Sequence, residues 1–159
     1  MAGWCALISD LAAAANVASW DFEWAKLAEC GIILLTQSGA ALAHVAEDLR
    51  GDRQLVFEAL RSDGAALAFA PPALRDDAEA VLAAVACCGD ALRHASDRLR
   101  ADREVALLAV RQSGMALQSV AEPLRHDREV VLAAVASDGL ALPFAAPALR
   151  ADRGVVLAA

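Results

Sequence analysis

Five features recur in this chain at one fixed interval, and that interval limits what the chain can fold into. Gly39, Gly64, Gly89, Gly114 and Gly139 stand 25 residues apart, and so do Leu42, Leu67, Leu92, Leu117 and Leu142. The dyads Leu49-Arg50, Leu74-Arg75, Leu99-Arg100, Leu124-Arg125 and Leu149-Arg150 keep the same register. Two places after each of these arginines comes Asp52, Asp77, Asp102, Asp127 or Asp152, and Ala59, Ala84, Ala109, Ala134 and Ala159 complete the pattern. A period held without insertion marks a repeat architecture, in which a unit too small to bury its own apolar face stacks on its neighbours.

Each unit reads as two helices. The Asp is suited to N-cap the first, accepting from orphan backbone N–H groups. Glu79, Glu104 and Glu129 follow in the first turn, where the helix dipole favours negative charge. The Gly suits a left-handed stop after that helix. A second helix then runs to the Leu-Arg dyad, whose Arg favours a helix C-terminus. The pattern predicts a first helix of about eleven residues, a glycine turn and a second helix of about eight or nine. At such lengths neither helix is stable alone in water, so stacking must stabilise both. The expected fold is therefore all-α, a right-handed-type α-solenoid of helix-turn-helix repeats with 25 residues per repeat. Leu55, Val56, Phe57, Ala59 and Leu60, with their equivalents, are expected to form the core. A leucine-rich repeat has a similar period but needs an Asn or Cys ladder. Asn16 is the only Asn, and the cysteines do not repeat.

Composition agrees. Hydrophobic residues make up 58% of the 159, mostly Ala, Leu and Val, which favours close helix–helix contact over a sheet. Fourteen basic residues against 21 acidic give a formal charge of −7, which argues against nucleic acid and anionic membrane surfaces as partners. Mean hydropathy is +0.44, yet the longest uncharged stretch, Cys30 to Ala46, holds Gly31, Gln37, Ser38, Gly39 and His44 and reads as parts of two soluble helices. The N-terminus lacks the basic region of a secretory signal, so a cytoplasmic location is the default expectation. Cys5, Cys30, Cys87 and Cys88 form no CxxC and read as small buried thiols.

The pattern Asp-x-Glu-Val-Val-Leu-x-Ala-Val-x-x-x-Gly-x-x-Leu, closing in Leu-Arg-x-Asp, resembles the family called domain of unknown function 4116. The resemblance covers Asp52 to Ala159 well and Leu27 to Arg50 more loosely, since Leu27 stands where the cap Asp belongs. That family's unit is about two of these repeats, in keeping with Arg61 and Arg111 alternating with Ala86 and Ala136. The resemblance implies tandem helical repeats and carries no activity or catalytic residues with it.

Residues 1–38 differ from the rest and hold Trp4, Trp20, Trp24 and Phe22. They read as an N-terminal helical cap with a degenerate first helix, and 39–159 as the tandem repeats, ending mid-repeat. Val155, Val156 and Leu157 would then form an uncapped apolar end, suited to self-association or to continuation in a longer protein. No catalytic, metal or cofactor motif occurs. His44 and His94 share a repeat position too far apart to share a metal, and His126 falls between helices. Because an Arg-x-Asp recurs in every unit, it reads as cap or inter-repeat ion pair and not as a catalytic pair.

Recognition should lie where the units differ. One column of the second helix reads His44, Phe69, His94, Ser119, Phe144, and in the first helix Arg61 and Arg111 vary on a face shared with Glu58 and Leu108. These are the candidate binding residues, with inter-repeat gap filling as the plainer role for Phe69 and Phe144. The expected function is a non-enzymatic scaffold for protein–protein interaction that binds a protein or peptide. A spacer arm within a larger protein is the alternative, and a thiol-based module using Cys87 and Cys88 is a third reading.

Overall fold

A computed structural model describes residues 42–43 and 50–159, all within a compact unit spanning Gly31–Ala159. The expected cap over residues 1–38 therefore lies outside the described residues, as do His44, Gly39, the three tryptophans, Cys5 and Cys30.

Every regular element among the described residues is helical. Ten-residue α-helices run over Arg53–Ser62, Ala78–Cys87, Arg103–Gln112 and Arg128–Ser137, and a shorter one over Arg153–Ala158 closes the series. Each begins behind an aspartate whose side chain accepts from backbone N–H groups of the first turn. Asp102, for example, takes Glu104 N at 2.9 Å and Val105 N at 3.2 Å. Burial follows an i, i+1, i+4, i+5 pattern, the signature of one helix face. It gives Leu55, Val56, Ala59 and Leu60 in the first helix and Val105, Ala106, Ala109 and Val110 in the third. The position of Phe57 departs from the expected core. Phe57, Leu107 and Leu132 are half-buried and Leu82 is exposed, because the residue after a buried pair points about 100° further round the helix.

The second part of each unit is not one helix. It is a six-residue 3₁₀ turn, such as Gly64–Phe69 or Gly89–His94, two extended residues, and then a four- or five-residue helix. Proline accounts for the break at Pro71-Pro72 and Pro147, since it disfavours a helical residue before it and has no N–H, while Pro123 stands one place inside its turn and contributes only its missing N–H. The break at Ala95-Ser96 has no proline. There the N–H of Ser96 leaves the helical ladder and donates to the carbonyl of Arg75 in the preceding unit, at 2.9 Å. Ala121 to Arg100 and Ala146 to Arg125 repeat this tie at 3.0 and 3.1 Å.

The glycines also act differently from the expected left-handed stop. None of Gly64, Gly89, Gly114 and Gly139 has a positive φ. The chain turns instead at the residue before each, extended at φ −151°, ψ 111° for Asp63. What demands glycine is proximity. A Cβ on Gly89 would sit 2.5 Å from the carbonyl oxygen of Ala109, and one on Gly139 would sit 2.6 Å from that of Ala159. The missing side chain lets each 3₁₀ turn lie against the next long helix.

Long helices pack on long helices, and 3₁₀ turns on 3₁₀ turns, from one unit to the next. The core is the continuous seam between these two layers. It holds Leu60, Leu67, Val81, Leu92, Val110 and Leu117 with no exposed surface.

Candidate functional site

Two charged rows flank this seam. At the N-terminal ends of the long helices, Arg53 reaches Asp77 at 2.9 Å and Glu79 at 2.5 Å in the following unit. Arg103 likewise meets Asp127 at 3.0 Å and also Glu129, and Arg128 approaches Asp152 at 3.7 Å. The cap aspartate thus serves its own helix and the neighbour's arginine together, and the Arg103 guanidinium holds the Asp127 carboxyl below the usual carboxylate range. The recurring Arg-x-Asp is not the pair that forms. The arginines just after three of the caps, Arg53, Arg103 and Arg128, make the bridges, not those of the Leu-Arg dyads. Arg53 also lies over the Phe57 ring, 5.0 Å from its centroid.

The second row lies at the short helices. The dyad arginines bond to backbone carbonyls: Arg100 Nε donates forward to the Ser119 carbonyl of the following unit at 2.8 Å, and Arg125 Nε to that of Val120 in its own unit at 2.8 Å. Asp76 accepts from the Ser96 hydroxyl at 2.5 Å and from Arg98 Nε at 3.0 Å, which bridges two consecutive short helices and holds its carboxyl low. Between Glu122–His126 and Pro147–Arg150 lies a cleft of about 290 Å³, with Arg125, Arg150, Phe144, Pro143 and Pro147 among its walls.

The column expected to form one exposed stripe is not uniform. Phe69 is 39% exposed, His94 is half-buried, Ser119 is buried, and Phe144 packs partly against the core. A side chain at this position sits at the end of a 3₁₀ turn, where the next unit covers it to a degree set by its size. Burial, then Arg93 and Arg75, holds the His94 imidazole below its ordinary value. Arg61 and Arg111 are exposed, and Arg61 pairs with Glu58 at 3.2 Å. His126 ends the Glu122–His126 turn and lines the cleft. Cys87 is exposed, contrary to a buried thiol, and its Sγ lies 3.5 Å from the Arg61 carbonyl oxygen; Cys88 is half-buried. No group of three or more metal-binding side chains occurs among the described residues. Among them, no helix is long and apolar enough to cross a membrane.

Arg125, Pro143, Pro147 and Arg150 were not singled out from the sequence as binding residues. Their signal was present in the column of Asp76, which becomes His126 two units on, but it has meaning only once Asp76 is seen to bridge two helices.

The fold thus defines an all-α chain of tandem helical repeats. The family model described as domain of unknown function (DUF4116) matches three times, over residues 32–75, 77–125 and 102–150, and the chain belongs to that family. No curated protein and no solved structure matches it.

Proposed function

We propose that this chain is a non-enzymatic scaffold for protein–protein interaction, a right-handed-type α-solenoid of 25-residue units that binds a protein or peptide along its variable columns. The observation that carries the reading is the division of labour between columns. Positions that stay constant from unit to unit are core, cap or close-approach glycine. Of the positions that vary, Phe69, His94, Arg61 and Arg111 are exposed or half-exposed, while Ser119 in the Phe69 column is buried. A stack that keeps its frame and changes its surface suits recognition of an extended partner. The 25-residue unit is supported by the second and third family matches, which begin at 77 and 102.

The test is a pull-down with the whole chain and with a variant carrying Phe69→Ala and His94→Ala, read by mass spectrometry after circular dichroism has matched their helicity. A partner held by the parent and lost by the folded variant supports the scaffold. Equal recovery of every protein by both would leave the spacer-arm reading in its place.

A further inference from the structure

Two joints between short helices differ in the bonds that close them. At the joint of Pro72–Arg75 with Asp97–Arg100, Asp76 takes the Ser96 hydroxyl and Arg98, and Asp97 pairs with Arg100 at 3.1 Å. At the joint two units on, the corresponding residues are His126, Ala146, Ala148 and Pro147, none of which can make those bonds. The joint stays open as the 290 Å³ cleft. Arg125 is tethered through Nε to the Val120 carbonyl, which fixes the guanidinium while its terminal nitrogens have no acceptor among the described residues. The exposed Arg150 side chain has neither hydrogen bond nor ion pair there, because proline stands where Asp97 would pair with it. Half-buried Phe144, with Pro143 and Pro147, supplies an apolar wall beside the two guanidiniums.

We infer that this cleft binds a carboxylate-bearing peptide segment, with Arg125 and Arg150 holding an Asp or Glu side chain and Phe144 receiving an apolar side chain next to it. The inference rests on the scaffold reading and names the chemistry of its partner. The guanidinium fork matches a carboxylate in plane and in spacing. Arg125 and Arg150 outnumber Glu122, the one carboxylate of the cleft, and the surplus positive charge is what a single carboxylate balances. The volume is at the small end for ligand pockets, room for a side chain and its neighbour.

The experiment titrates the whole chain into fluorescein-labelled nonapeptides with a central Glu-Phe, Gln-Phe or phosphoserine-Phe pair in Gly-Ser flanks, followed by anisotropy. Glu-Phe should bind saturably, and Gln-Phe roughly tenfold or more weakly, as loss of a charge-assisted hydrogen bond implies. Arg150→Gln should weaken Glu-Phe by a similar factor. Pro147→Asp, which rebuilds the Asp97–Arg100 pair at this joint, should do the same with helicity retained. The inference is overturned if Gln-Phe or phosphoserine-Phe binds as well as Glu-Phe, if neither variant weakens binding, or if no peptide binds. Binding that ignores the carboxylate but is lost in the Phe69, His94 variant would overturn it and leave the scaffold standing; the pull-down judges the scaffold independently.

Discussion

Glycine at positions 64, 89, 114 and 139 illustrates how one residue can be conserved across units for a reason the sequence does not display. Spacing marks these glycines as turn residues, and a left-handed stop is the usual reason for one. Their backbones are ordinary; the constraint is the carbonyl of a helix twenty residues ahead. Gly89→Ala should therefore destabilise by about 1–3 kcal/mol, the cost of overpacking, measured by urea denaturation. Ala is a better helix former, so a stabilised variant would show that the close approach yields without strain. Titratable residues give a second prediction. Asp76 is held low by Ser96 and Arg98, Asp127 by Arg103, and Asp152 by the N–H groups of Val155 and Gly154; His94 is held low by burial, Arg93 and Arg75. In each case the unfolded chain takes up a proton before the folded one does, so stability falls as pH falls. The His94 share is lost below about pH 6.5 and the aspartate share below about pH 4. The melting temperature should decline in those two stages, and His94→Gln should flatten the upper one alone. An unchanged upper stage would assign it elsewhere.

At the scale of elements, the long helix was legible and the rest of the unit was not. Asp52, Asp77, Asp102 and Asp127, the acidic first turns and the buried stripe at Leu55, Val56, Ala59 and Leu60 are local features. A cap bonds to residues two and three places on, and a helix face repeats every turn, so chain order alone displays both. The second helix was expected whole but divides, at proline in some units and, at Ala95-Ser96, because the N–H of Ser96 is drawn to the Arg75 carbonyl of the preceding unit. That competition is long-range and leaves no mark at Ala95-Ser96. The six-residue turns and four-residue helices hold their shape through contact alone. Leu117, fully buried in the 3₁₀ layer, should matter as much as any long-helix residue. Leu117→Ala is expected to cost about 2–5 kcal/mol in urea denaturation. A loss below about 0.5 kcal/mol, the level of surface substitutions, would mean the layer is not a packed one.

For the whole molecule, the sequence by itself determined the class: helical, tandem, and a member of a repeat family. It did so because a unit that must stack on its own copy needs the same contacts every time, and identical needs appear as identical letters. The tertiary structure alone decided what differs. It split the second helix, left Phe57 and Leu107 half-buried at the margin of the core, buried Ser119 while leaving Phe69 partly in solvent, moved the inter-unit bridge from the dyad arginines to Arg53 and Arg103, and opened the cleft beside Arg150. The physical reason is that, apart from the local breaks at proline and the turn of the helix at Phe57, these depend on groups about twenty or more residues apart being placed within bonding distance. A period reports what every joint shares; only coordinates report that Asp76 closes one joint and His126 leaves another open.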